Sequence, residues 1–360
     1  MDPVSHAALA RTLIAAVAVT PAPRVSRSTA AAAVLGSLSP DIDCVLMPFG
    51  WDIYLRAHEI GTHSIAGSFV CALLTAAVVR FSARRSSYRE LAAAAWIGAF
   101  SHVVLDVVAS ARLRPAWPAV DAIVSLPLVA MADPWLLGLC VMGPLGIWLA
   151  RRNQQQKTVT PSTANVPGSE QRAARLVLAA IAVFLTVKAG LGTVALSHYE
   201  REQESVGGAV LARVVEAQWA SLLTWHVFDR TPAALRAWRA SAKGTVERTL
   251  EWPIEPESSA VTASRGLTTV HNFLRAHDLG FAVASREPHN RIAVMWSDVR
   301  FCWSQTLTRP ALPGDAVIPR AGSIPIACAL WFGGELADDG TPLRQIVRVG
   351  SLTQTRDPGR

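Results

Sequence analysis

The sequence is short of charge. Of its 360 residues only 17% are Asp, Glu, Lys or Arg, against 51% apolar and a mean hydropathy of +0.29. An ordinary soluble domain carries about a quarter charged residues. The shortage excludes intrinsic disorder and fibrous repeats for the bulk of the chain, and no internal repeat is visible. Cysteine is scarce and badly spaced for metal chemistry: Cys44, Cys71, Cys140, Cys302 and Cys328 form no CxxC pair, which argues against a zinc ribbon or a thioredoxin motif. No basic region precedes the first apolar stretch, where Asp2 stands, so the start reads poorly as a signal peptide. The net charge of +7 hints at nucleic acid only until the charges are located. Up to Ala195 there are sixteen basic and ten acidic residues; from Leu196 onward there are eighteen and seventeen. The excess sits between apolar runs, which is how membrane proteins distribute charge, and no nucleic-acid partner is expected.

Six stretches are candidates for a bilayer that asks for roughly 20 apolar residues per helix. They run over residues 5–20, 28–47, 64–81, 91–110, 120–150 and 175–196. The fifth is too long for one straight span and is interrupted at Asp133-Pro134, which predicts a partial helix followed by a span. Arginines and lysines orient the set. Arg24 and Arg27, then Arg80, Arg84, Arg85 and Arg89, then Arg151, Arg152, Lys157, Arg172 and Arg175 occupy alternate connections, while the others hold only Arg56, Arg112 and Arg114. Eleven against three places the rich connections in the cytoplasm, and the N-terminus and C-terminal domain outside.

The expected fold is a membrane all-α helical bundle of five to six segments, followed by a smaller α+β or mostly β extramembrane domain. Residues 1–150 form the membrane part, 151–173 a flexible cytoplasmic linker rich in Gln, Thr, Pro and Ser, 174–196 the last span and 197–360 the C-terminal domain. Residues 209–223 read as a short amphipathic helix. Beyond them RIAVMWSDVRF and IPIACALWF alternate as strands do, with turn signals at Lys243-Gly244 and Asp339-Gly340. The seven tryptophans from 219 to 331 read as core, and Asp298 with Arg300 as an ion pair. Cys302 and Cys328 have the option of a disulfide if this half faces an oxidising compartment. His226, His271, His277 and His289 show no ligand spacing.

Ionisable residues at membrane depth are costly and call for a reason. On the arginine-derived topology, His6, Asp41, Asp43, His58, His63, His102 and Asp106 all fall at one depth, on the outer face. His102 and Asp106 are four apart and share one helix face. Asp41 and Asp43 follow a proline and suit a turn whose carboxylates converge; SPD is equally an ordinary turn or cap signal. His6 stands beside a terminus free to fray. Mixed nitrogen and oxygen ligands without thiolate fit Zn, with Mn or Fe as alternatives, and the number of groups permits one or two ions. Glu59, Asp52, Asp121 and Asp133 lie near the same face. Lys188, mid-span, reads as snorkelling or paired with a carboxylate. Arg11, Arg56, Arg112 and Arg114 stand where a phosphate would approach.

An N-terminal His, then PDIDCV, HEIGTHS and SHVVLDVVAS, with ADP some thirty residues on, resembles the YdjM-like membrane-bound metal-dependent hydrolases, themselves distantly similar to zinc-dependent phospholipase C. The match covers roughly the first 150 residues, and WSDVRF is a weaker counterpart further on. The resemblance implies a bacterial inner-membrane hydrolase with the seven residues above as metal ligands. Glu59 stands where an Arg is usual, and ASARLRPAW replaces a TSYGT-type segment. The expected activity is metal-assisted hydrolysis of a phosphoester or lipid-linked substrate, with Glu59 or one of the carboxylates as general base. Membrane lipids are the expected surroundings and a small-molecule or lipid substrate the expected partner. The alternative is a metal-binding membrane scaffold or transport component without turnover.

Overall fold

A computed structural model describes residues 1–17, 25–157, 168–254, 258–275, 277–303, 316–318 and 326–358. The chain forms two compact units: residues 1–44, 57–193 and 216–223, and residues 45–56, 194–215 and 224–360.

The first unit is helical. Its elements are α1 (Pro3–Val17), α2 (Arg27–Leu38), a 3-10 helix (Pro40–Phe49) that passes into the second unit, α3 (Trp51–Ile60), which enters from it, α4 (Ile65–Ser82), α5 (Tyr88–Val108), α6 (Pro134–Lys157) and most of α7 (Ser169–Val206). Among the described residues four of these, α4 to α7, are long and apolar enough to cross a membrane, and α2 with its 3-10 continuation, bent by 42°, makes a fifth when the pair is counted as one span. The core between α2, α4 and α5 is made of small side chains: Ala32, Ala33, Ala72, Ala76, Ala94, Ala95 and Ala99 are buried together with Leu91. Small residues let helix backbones approach where lipid offers no hydrophobic drive to association. The approach is tightest where α2 meets α5. A Cβ on Gly36 would lie 2.3 Å from the Ala95 carbonyl oxygen, and one on Gly98 would lie 2.0 Å from that of Ala33.

The fifth apolar stretch differs from expectation. Residues 110–132 are not helical; they fold as an extended loop pinned by bridges Ala109–Pro127 and Leu113–Val124, and the helix starts only at Pro134. Asp133 supplies the start, its Oδ1 accepting from the Trp135 and Leu136 amides at 3.0 Å. Proline, which cannot donate, suits the first helical position. The linker expected at 151–173 is helical at both ends, 151–157 in α6 and 169–173 in α7; residues 158–167 lie outside the described residues. The last helix reaches Val206, ten residues past the expected end.

The second unit is mostly β. Strands β1 (Ala212–Ala217), β2 (Thr224–Arg230), β3 (Ala234–Ser241) and β4 (Val246–Pro253) form one sheet in sequence order. Helices α8 (Ser259–Ser264) and α9 (Thr268–Leu274) follow. Then come β5 (Gly280–Glu287), β6 (Arg291–Asp298), β7 (Cys302–Trp303), β8 (Ala316–Ile318), β9 (Ile326–Cys328), β10 (Leu330–Ala337), β11 (Pro342–Val349) and β12 (Leu352–Arg356). They build a five-stranded sheet, β12-β11-β10-β6-β5, and a small one, β7-β9-β8. The run RIAVMWSDVRF and both glycine turns are where the sequence placed them; of IPIACALWF, residues 326–332 divide between β9 and β10, and Ile324 and Pro325 lie outside the described residues. Part of 209–223 is strand β1 rather than the expected helix: its ARVVEA pairs β-branched valines with a sheet neighbour, and neighbours outweigh local helix preference. Trp225, Trp238, Trp296 and Trp331 are core, while Trp219, in the first unit, is 66% exposed.

Two polar knots are buried in this unit. Asp229 accepts from Tyr199 at the end of α7, from Trp238 and from Arg236, at 2.6–2.7 Å, which ties the helix end to the sheet. After β6, Asp298 holds Arg300 through both carboxylate oxygens, at 2.9 and 2.8 Å, with His277 Nδ1 at 3.4 Å. Cys302 and Cys328, opposite each other on β7 and β9, are joined as a disulfide.

Two outcomes are expected. Gly98→Val forces α2 and α5 apart and is expected to destabilise the membrane unit by about 1–3 kcal/mol, read by thermal unfolding in detergent. Burial alone would raise the Asp298 carboxyl, but Arg300 and His277 hold it below the usual carboxylate range. A depressed folded pKa stabilises above the unfolded value, about 3.9, and the gain is lost as pH falls below it. Asp298→Asn is therefore expected to cost about 3–5 kcal/mol at pH 7 and to flatten the acid limb of a stability-versus-pH curve.

Candidate metal centre

Four helices and one turn carry the seven ionisable residues that the sequence grouped. His6 is on α1, Asp41 and Asp43 open the 3-10 helix, His58 ends α3, His63 sits in the turn before α4, and His102 and Asp106 are one turn apart on α5. Ser64 caps α4, its Oγ accepting the Gly67 amide at 2.9 Å, and this fixes the turn that presents His63. The structure brings all seven together as three overlapping groups: His6, His102 and Asp106; Asp41, His63 and His102; Asp43, His58 and His63. His6, His63 and His102 are fully buried, Asp106 and Asp43 nearly so, and the Asp41 side chain is 41% exposed.

The hydrogen bonds settle which ring nitrogens bear protons. His102 Nδ1 lies 2.6 Å from the Ser37 carbonyl oxygen at the end of α2. A carbonyl only accepts, so Nδ1 donates and Nε2 is the atom left to face the centre. His63 Nδ1 lies 3.1 Å from Thr62 Oγ1, whose hydroxyl is already donated to Asp43 Oδ2 at 2.6 Å. Thr62 therefore accepts from Nδ1, and His63 Nε2 is the ring atom left to face His102. These two Nε2 atoms face each other at 3.0 Å. Asp106 Oδ2 lies 3.1 Å from that of His102 and 3.6 Å from that of His63, and Asp41 Oδ1 lies 3.5 and 3.4 Å from the same two. Two lone pairs and two carboxylates converging in a buried pocket repel unless a cation lies among them. A proton is one such cation: burial pulls His63 down, yet Asp41 and Asp43 outweigh it and its pKa is pushed up to about 9. A divalent ion fits the same donor set, all nitrogen and oxygen.

The remaining residues support this centre. Asp43 Oδ2 also meets His58 Nδ1 at 3.1 Å, while its Oδ1 is buried without a hydrogen bond. The ring of His6 stacks on that of His102 with centroids 3.8 Å apart, and its Nε2 stands 3.3 Å from Asp106 Oδ1, which also meets the Met1 amino group.

Other candidates belong elsewhere. Asp52 is buried against Arg356 at 2.6 Å in the second unit, Asp121 pairs with Arg114 at 2.7 Å, and Asp133 caps α6. Arg56 reaches Asn272 at 3.4 Å. Lys188 does not snorkel: it is buried and donates to the Ser221 carbonyl at 3.0 Å. Glu59 lies in α3, with its side chain outside the described residues. Ser37 and Thr62 are the partners that sequence reasoning missed. Thr62 stood beside His63 in the THS triplet; Ser37 acts through its backbone, for which no side-chain signal exists. His277 gains a partner in Asp298 that no spacing foretold.

No curated protein and no solved structure matches the chain. The family model described as YdjM inner membrane protein matches residues 1–197, which take in all seven clustered residues and the apolar helices. The chain belongs to the YdjM inner membrane protein family.

Proposed function

We propose that this chain is an integral-membrane, metal-dependent hydrolase that acts on a phosphoester or lipid-linked substrate at the outer face of the membrane. The observation that carries the reading is that the Nε2 atoms of His63 and His102 lie 3.0 Å apart between two carboxylates. A divalent ion bound there, Zn or alternatively Mn or Fe, supplies Lewis acidity that polarises the scissile group and makes water more acidic. The protein's own residues do the rest. His63, His102, Asp41 and Asp106 hold the charge in place, and Asp43, Thr62 and Ser37 keep the two rings in the required tautomers. Glu59, next to His58 in the chain, is assigned as general base.

A lipid-linked substrate is supported by an apolar cleft beside the centre. It measures about 500 Å³ and is lined by Ile65, Phe69, Trp96, Pro115, Trp117 and Pro118. Ile65 is two residues past His63 and donates its amide to the Pro115 carbonyl at 2.8 Å, so cleft and centre share one turn. The outer location of the centre is supported by the arginine distribution, and that of the C-terminal domain by the Cys302–Cys328 disulfide, a bond that persists in oxidising compartments.

The test is hydrolysis of a water-soluble phosphodiester and of a labelled phospholipid by purified, metal-loaded protein in detergent. Chelator-sensitive turnover is expected. Glu59→Gln is expected to keep the metal and lower kcat by about 10²–10⁴-fold. Phe69→Ala is expected to raise KM for the phospholipid alone, by about tenfold, or ~1.4 kcal/mol. Folded, metal-loaded wild type that turns over neither substrate would favour a scaffold or transport component.

A further inference from the structure

We infer that the seven clustered residues are not seven ligands: the centre takes one ion, on a buried tripod of His63 Nε2, His102 Nε2 and Asp106 Oδ2, with Asp41 as the exchangeable fourth ligand. The inference rests on the metal-binding reading above and assigns each residue its part in it.

The tripod is a triangle with sides of 3.0, 3.1 and 3.6 Å. Ligands about 2.0–2.1 Å from a tetrahedral ion stand roughly 3.3–3.4 Å from one another, so these three atoms already match one face of such a site. Asp41 Oδ1, at 3.4 and 3.5 Å from the two nitrogens, lies on the open side. It differs from the tripod in exposure: its side chain is 41% exposed, against 0–2% for the other three. Catalytic sites keep one position that water or substrate is able to take, and Asp41 stands at the only accessible corner of these four.

A second ion is opposed by the sharing of His63 and His102 among the three groups. To bind one beside Asp43 and His58, His63 would have to bridge two ions through a single ring, and its Nδ1 already lies against Thr62 Oγ1 at 3.1 Å. A second ion beside His6 would have to share His102, whose Nδ1 is committed to the Ser37 carbonyl and whose Nε2 belongs to the tripod. Asp43 is therefore a positioning residue, acting on His63 through Thr62 and directly from 3.5 Å. His58 holds Asp43 in turn, at 3.1 Å. His6 orients Asp106 from 3.3 Å at Oδ1, the oxygen turned away from the tripod, and stacks on His102. Carboxylate–histidine–metal relays of this kind typically contribute 10–100-fold to metal affinity.

The experiment is titration of chelator-stripped full-length protein with Co(II), followed by visible absorption and by metal analysis after gel filtration. Far-UV circular dichroism checks the fold of each variant. One Co(II) per chain with an intense visible band is expected for wild type. Asp41→Asn is expected to keep one ion with an altered spectrum, because a ligand has changed. Asp43→Asn is expected to keep the wild-type spectrum with affinity lowered 10–100-fold. His102→Ala is expected to lose the ion. Two ions per chain in wild type would overturn the assignment, as would a spectrum altered by Asp43→Asn but not by Asp41→Asn. A folded wild type that takes up neither Co(II) nor Zn(II) would overturn the metal reading itself.

Discussion

The centre depends on how closely α2 and α5 approach. His102 takes its tautomer from the Ser37 carbonyl, at 2.6 Å, and that carbonyl is on the other helix. The distance holds only because Gly36 and Gly98 have no side chains where each backbone meets the other, and because alanines fill the rest of the interface. Widen the contact by the radius of a methyl group and His102 loses its acceptor; the ring is then free to turn its lone pair elsewhere. The same contact sets where the chain emerges from α2 into the 3-10 helix, and so where Asp41 and Asp43 stand. Helix packing and the chemistry of the site are one constraint.

That constraint explains why so many ionisable groups tolerate burial in an apolar unit. An unpaired carboxylate or imidazolium there is costly, and several of the buried charges here meet a defined partner. Asp106 is held at both oxygens, Asp133 caps a helix and Lys188 reaches a carbonyl. The second unit follows the same rule with Asp229 and Asp298, each satisfied by an arginine and a ring or indole neighbour.

Much of this was legible in the sequence, for physical reasons. Arginine is costly in the core of a bilayer, so its positions mark the connections; the apolar stretches between them became α2 and α4 to α7. The seven clustered residues, spread from His6 to Asp106, could be grouped because each was out of place in an apolar setting. What stayed hidden depends on partners far along the chain. The division between tripod and relay turns on the Ser37 backbone oxygen and on one hydroxyl, Thr62, neither marked by residue type. Residues 120–132 looked helical from apolarity alone, yet they fold as loop, with Pro127 among them. The segment that became β1 followed its sheet partner rather than its own pattern.

The central claim is that a metal ion lies between the Nε2 atoms of His63 and His102. X-ray absorption at the zinc edge of zinc-loaded protein tests it most directly. The account predicts a first shell of nitrogen and oxygen at about 2.0–2.1 Å, with outer-shell scattering from two imidazole rings. A sulfur ligand at about 2.3 Å, or a shell without imidazole scattering, would contradict it.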